Sequence, residues 1–562
     1  MLSRRSFLET ASLAGISSAV FPDLLMGEVA RSEEITIETI RAAEALSGLS
    51  FTDEERELML EGLRDAVADY EAIRAYNLPN HVPPSFSFDP QIGGVQAPTL
   101  PGRIPIQWIP SELDRPDSDE DLAFLAVPEL SSLLKDRKVT SLELTQLYLA
   151  RLKRYDPVLH CVVTLTEERA LMQASAADAE LDAGKWRGPL HGIPWGAKDL
   201  LNVEGYPTTW GAEPYKDQEL SPDAEVVRRL DTAGAVLVAK LTLGALAWGD
   251  VWFGERTRNP WNVDQGSSGS SAGPGSAVSA GLVGFAIGSE THGSIVSPST
   301  RNGITGFRPT YGRVSRSGAM ALSWTMDKLG PMCRSAAGCA LVFDSIHGHD
   351  PTEPGSVTTA FEWPASRGPS DLRIGFLQDA FERPRDQAVL DVLSNQGLSM
   401  TPARFPDIDP GPMVMMLGVE AAAAFDTLTR SGRDDLMVRQ ITNAWPNRFR
   451  ETRFTPAVEY VNASRARTLL MRDMKRLFDS IDVLVMPSFG NPGLAMSNLT
   501  GHPCVTVPNR FEKVDDTPVG SPRRAPGSVT FLGGLYRDDA TLAVADFYQQ
   551  HTDFHTRRPP IR

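Results

Sequence analysis

Apolar and polar positions along the chain alternate between two periods. Ile37, Ile40, Ala43 and Leu46, then residues 54–63, recur at helical spacing, so residues 33–78 are predicted helical. Residues 79–118 lose all periodicity and carry Pro83, Pro84, Pro90, Pro98, Pro101, Pro105 and Pro110, the mark of a linker or an extended wrap. Periodicity returns near Asp121. Thr140-Ser-Leu-Glu143 has the form of a capping box, and Leu144, Leu147, Tyr148, Leu152 and Tyr155 follow on one helical face. Further helices are predicted over 167–183 and 224–231. Short apolar runs at 192–197, 235–240, 282–288, 373–376 and 482–487 read as buried strands. Strands alternating with helices predict an α/β domain whose mixed, mostly buried sheet is surrounded by helices. Residues 259–265 and the polar stretch 510–527 read as loops.

The first thirty residues follow a different logic. Arg4-Arg5 precedes Ser-Phe-Leu and a mildly apolar stretch from Ala11 to Met26, followed by Arg31-Ser-Glu-Glu34. The stretch is too short and too rich in Ser and Gly for a stable membrane span. Paired arginines, a short apolar region and a charged boundary predict a twin-arginine signal segment over 1–30, hence periplasmic or other extracytoplasmic location. The chain then divides into an extension over 31–118, helical and then Pro-rich, and a catalytic domain over 119–562. The extension is expected either to wrap that domain or to make a contact in a homodimer.

Composition narrows the function. The 562-residue chain has a formal charge of −16, which argues against a nucleic-acid partner. Its four cysteines lack CxxC spacing and no histidine pair has HExxH spacing, so no metal is expected.

Two Ser/Gly-rich loops carry the candidate chemistry. The first, Gly266-Ser-Ser-Gly-Ser-Ser271, lies before the strand at 282–288, and the second, Thr291-His-Gly-Ser294, lies after it. Amides of such a loop converge readily on one point, as a tetrahedral oxyanion requires. A serine hydroxyl needs a base to become a nucleophile. Lys198, at the end of Ile193-Pro-Trp-Gly-Ala197, is a candidate, because burial lowers the pKa of an amine. Two formal motifs are set aside. Gly269-Ser-Ser-Ala-Gly273 lacks the preceding strand that a hydrolase elbow requires. Ser132-Leu-Leu-Lys135 reads as an exposed helix face.

The ensemble resembles the amidase signature family, which includes the A-subunits of glutamyl-tRNA amidotransferases. The likeness runs from about Leu122 to Leu341, through Gly192-Ile-Pro, Lys198-Asp199, the two serine loops, Gly306-Phe-Arg-Pro-Thr-Tyr-Gly-Arg313 and Asp327-Lys-Leu-Gly-Pro331. It continues more weakly through residues 498–508. The resemblance implies a single large domain that hydrolyses amides without metal or cofactor, through a serine–cis-serine–lysine triad. By position, Ser294 is the nucleophile and Lys198 the base. The family's interval between bridging serine and nucleophile fits Ser270, 24 residues before Ser294, with Ser267 as runner-up. The oxyanion-hole amides would be those of Thr291, His292, Gly293 and Ser294, with Ser271 and Glu290 in support.

His292 stands where the family carries glycine, and its side chain is expected to pack beside the pocket. Trp195, Trp248 and Trp324, together with Trp252, are candidates for an aromatic substrate pocket, each with a core role as the alternative. The reading is an exported amidase acting on a small-molecule linear carboxamide through an acyl-enzyme. The alternatives are an ammonia-donating amidotransferase A-subunit and a non-catalytic binding protein on the same fold. Export and the missing basic surface weigh against the first, and the intact Lys198, Ser270 and Ser294 against the second.

Overall fold

The computed structural model describes residues 35–75, 77–82, 87–95, 97, 106, 110, 113–353, 355–514 and 522–561. The twin-arginine segment lies outside them. The chain divides into two compact units, one taking the residues up to Leu78 with Phe454–Pro456 and the other Pro79–Arg453 with Ala457–Arg562.

In the smaller unit, the helical residues expected over 33–78 form two helices, Ile37–Ser47 and Asp53–Arg74. Gly48, at φ 69°, ends the first in the left-handed conformation that glycine adopts without steric cost. Arg56 then joins the two helices by bonding both carboxylate oxygens of Glu44 at 2.8 Å.

The larger unit is built on a mixed sheet, eleven-stranded among the described residues. Its first strands are β1 (Val162–Leu165), β2 (Pro194–Lys198) and β3 (Val236–Leu241). A separate two-stranded ribbon, β4 (Arg258–Asn259) and β5 (Asn262–Gly266), replaces the loop expected at 259–265. The main sheet continues with β6 (Phe285–Glu290), β7 (Thr305–Arg308), β8 (Lys328–Cys333), β9 (Ile374–Leu377) and β10 (Met400–Ala403). It ends with β11 (Val483–Pro487), β12 (Cys504–Lys513) and β13 (Arg524–Gly533). The spatial order is β1-β3-β2-β6-β8-β7-β12-β13-β11-β9-β10. The β12–β13 hairpin therefore sits between β7 and β11. Its strands reach into both ends of the interval 510–527, because cross-strand pairing continues from Cys504↔Leu532 out to Lys513↔Arg524.

β2, β3, β6, β8 and β7 are buried along their whole length, as expected for strands covered on both faces. Thr140 and Glu143 form the predicted capping box, which starts the helix Ser141–Leu159. That helix buries Leu144, Tyr148, Leu152 and Tyr155. Ser132 is buried in the helix Val127–Lys135, contrary to the exposed face expected, while Lys135 points outward over the ring of Trp186. Among the described residues no helix is long and apolar enough to cross a membrane.

Candidate active site

β2 and β6 run parallel, with Ala197 opposite Ile287, so Lys198 and the loop after Glu290 emerge at the same edge of the sheet. Ligands of open α/β sheets commonly lie at the carboxyl ends of strands. β2 places Lys198 in the interior, fully buried. Its Nζ lies 2.8 Å from Ser270 Oγ, 2.8 Å from Ser289 Oγ and 3.0 Å from Ser271 Oγ. Burial pushes the amine well below the usual lysine range, although Asp327 and Glu290 pull in the opposite direction. Neighbouring Asp199 does not neutralise it, because Asp199 faces Lys240 at 2.8 Å.

Ser270 follows a cis peptide bond from Gly269. A Cβ on Gly269 would stand 1.8 Å from the carbonyl oxygen of Gly249, so the loop can take this path only with glycine there. Ser271 stands immediately before the buried helix Ala272–Ser279. Its Oγ donates to the carbonyl of Ser289 and accepts from that residue's N–H, both at 3.1 Å, and Gly288 supplies the room for this approach. Ser267 is held elsewhere, its N–H on the carbonyl of Thr257 at 2.9 Å. The structure thus brings Ser270, and not Ser267, to the lysine.

The second loop is tied at both ends. Ser271 donates its N–H to the carbonyl of Ser294 at 3.2 Å. Glu290, fully buried, accepts the N–H groups of Ile295 at 2.8 Å and Val296 at 2.9 Å, where the helix Val296–Asn302 begins. It also meets Arg308 at 2.5 Å and Asn498 at 2.9 Å. Burial alone would raise its carboxyl, but Arg308 and the donated hydrogen bonds bring it down to about 2. Thr291 Oγ1 donates to Asp327 at 2.6 Å, and Asp327 also accepts the N–H groups of Leu322 and Ser323. Among the described residues no acceptor takes the N–H of Thr291, His292, Gly293 or Ser294. His292 is exposed, yet enough of the protein surrounds its ring for burial to lower its pKa below the usual histidine value.

A cavity of about 420 Å³ adjoins this cluster. Ser289 and Thr291 belong to its wall, with Leu200, Met320, Leu322, Trp324 and Leu329 as its larger apolar surfaces. Of the candidate tryptophans only Trp324 lies there. Trp195 is fully buried and stacks on Phe285, its partner across β2 and β6, at 6.0 Å between ring centroids. Trp248 lies under the guanidinium of Arg439, and Trp252 packs edge-on against Phe253. Three contributors escaped the sequence reading. Ser289 sits on the apolar strand itself, Asp327 belongs to a quoted motif that carried no assigned role, and Asn80 belongs to the aperiodic extension.

The profile of the family described as Amidase matches residues 143–519. This chain belongs to the amidase family. The amidase is 32% identical to the A-subunit of glutamyl-tRNA(Gln) amidotransferase from Acinetobacter baumannii over 505 residues, covering 78% of this chain and 99% of that protein. Among solved structures it is similar to the peptide amidase of Stenotrophomonas maltophilia, with 28% identity and a TM-score of 0.66, over 77% of this chain and 98% of that one. A chain from a vestigial complex related to the origins of an s-triazine catabolic enzyme gives 26% identity and a TM-score of 0.68, over 76% and 98%. The amidase is an amide-hydrolysing enzyme on a mixed α/β fold.

Proposed function

We propose that this amidase cleaves a small, uncharged linear carboxamide through an acyl-enzyme on Ser294. The observation that carries the reading is the buried contact of Lys198 Nζ with Ser270 Oγ at 2.8 Å, in the loop whose next residue holds the Ser294 carbonyl. Burial favours the neutral amine, which has a lone pair to accept a proton. Ser270 gives its proton to Lys198 and takes one from Ser294. The Ser294 oxygen bonds to the substrate carbonyl carbon, and the free amides of residues 292–294 stabilise the resulting oxyanion. The C–N bond then breaks, the departing nitrogen takes back the proton through Ser270, and water hydrolyses the ester.

The wall of the cavity supports a neutral substrate. Its apolar surfaces are joined by Arg316, Glu353 and Asp327, and each of these is already engaged. Arg316 bonds Glu353 at 2.6 Å and the carbonyl of Trp324 at 2.7 Å, while Asp327 holds Thr291. A volume of about 420 Å³ lies at the low end of ligand sites, which span about 300–1,000 Å³. A second reading, ammonia supply from glutamine, draws support from the 32% identity to an amidotransferase A-subunit. Glutamine carries an ammonium and a carboxylate, and among the described residues of this wall every Arg, Asp and Glu is already engaged. The Arg4-Arg5 segment supports export of the enzyme to an extracytoplasmic compartment.

The test is labelling with a fluorophosphonate, read by intact mass, on the wild type, Ser294→Ala and Lys198→Ala. One adduct on the wild type is expected, absent from Ser294→Ala and slowed in Lys198→Ala. An adduct that persists in Ser294→Ala would overturn the assignment. Ammonia release from simple primary amides, against release from glutamine, separates the two substrate readings.

A further inference from the structure

Part of the cavity wall comes from outside the span that the family profile matches. Asn80, His81 and Ser87 line it, whereas the match begins at residue 143. Asn80 is not merely adjacent. Its side-chain amide donates to the carbonyl of Ala321 at 2.8 Å, and its oxygen accepts the N–H of Ala321 at 2.8 Å. The carboxamide thereby pairs with the backbone of the segment 320–324, which supplies Met320, Leu322 and Trp324 to the same cavity. A second donation reaches the carbonyl of Ala424 at 3.5 Å. This two-point pairing fixes both position and orientation, which one hydrogen bond would not do. His81 and Ser87 are exposed and stand on the rim.

We propose that Asn80, His81 and Ser87 form a specificity element. Held through Asn80, they close one side of the substrate cavity and limit the length of the group that can lie against residues 320–324. The idea rests on the reading of this cavity as the site of the amide substrate. It assigns to these residues a preference for short, uncharged acyl or amine portions that an enzyme formed from the matched span alone would lack.

The probes are two alkyl fluorophosphonates, one with a methyl and one with an octyl chain, and the quantity is the ratio of their second-order labelling rates at Ser294. Asn80→Ala unpins the wall, and the octyl-to-methyl ratio is expected to rise at least five-fold. Ser87→Trp adds bulk to an exposed rim position, and the ratio is expected to fall by a similar factor. Opposite movements support the proposal and are not produced by general loss of fold. Equal ratios in the wild type and both variants, with Ser294 still labelled, would overturn it while leaving the nucleophile assignment intact. A wild type labelled by neither probe would instead remove the Ser294 reading, and this proposal with it.

Discussion

The N–H of Ser271 is bonded to the carbonyl of Ser294 at 3.2 Å, so the loop that carries the lysine's partners also holds the loop that carries the proposed nucleophile. A change to the Ser271 side chain leaves this backbone link in place. Ser270→Ala and Ser271→Ala should therefore separate. Ser270→Ala removes the proposed proton relay and should lower kcat by about 10⁴-fold or more, as loss of one member of a catalytic unit does. Ser271→Ala removes only supporting hydrogen bonds and should cost roughly 10-fold. Steady-state rates on one amide decide this, and equal losses would contradict the assigned roles.

Lys198 should set the acid limb of the pH–rate profile. Its folded pKa is lowered by burial, so the base is lost by protonation as pH falls through that value. The unfolded chain holds the same proton up to about pH 10.4. The unfolded state thus binds more protons between the two values, and stability contributed at this site rises with pH. Lys198→Met should abolish turnover yet raise the thermal midpoint by about 1–2 °C near neutral pH, a trade of activity for stability. A lower midpoint in differential scanning fluorimetry would contradict this account of the buried amine.

Glu290 has the opposite sign. Its folded pKa of about 2 lies below the usual value of about 4.3, so its contribution to stability is fully present above that value. It is lost as pH falls from about 4.3 to 2. Glu290→Gln leaves Arg308 buried without its anion and should cost about 3–5 kcal/mol at neutral pH. Urea unfolding at pH 7 checks the cost. A variant as stable as the wild type would show that the ion pair does not hold the loop.

Thr291→Val removes the hydroxyl that ties the loop to Asp327 and keeps the shape of the side chain. The N–H groups of residues 292–294 would then be less well aimed. kcat should fall about 10-fold, less than the roughly 10²–10³ for deleting an oxyanion donor outright. KM should move little. An effect confined to KM would place Thr291 in substrate binding.

Trp195→Phe should leave substrate preference unchanged, because Trp195 packs on Phe285 and does not line the cavity. The indole N–H has no hydrogen-bond partner, so the exchange leaves no acceptor unpaired. Relative kcat/KM across a series of amides provides the check, and a changed order would return Trp195 to the pocket.

Five strands, β2, β3, β6, β9 and β11, were legible because they are short apolar runs bounded by glycine and polar residues. The proximity of Trp195 to Lys198 in sequence was misleading. They are three positions apart on one strand, and alternation sends such residues to opposite faces. That signal was present but outweighed by the aromatic character of the residue. Strand signals were weaker at β12 and β13, where residues 509–513 and 524–526 are mostly polar or proline. Pairing across the hairpin extends the strands there, and pairing is not written in local composition. The role of Asn80 was invisible for a related reason. Its partner, Ala321, is 241 residues away, and a single asparagine in a Pro-rich stretch carries no period.

The position of the β12–β13 hairpin has a consequence for biosynthesis. Until residues 504–533 leave the ribosome, β7 and β11 each present an unpaired edge, although every other strand of the sheet has already been made. Exposed edges are templates for pairing with another chain. The nascent chain therefore completes its central sheet only near the end of translation and depends until then on being kept apart from its neighbours. A message truncated before codon 504 would yield an aggregating fragment and not a smaller enzyme.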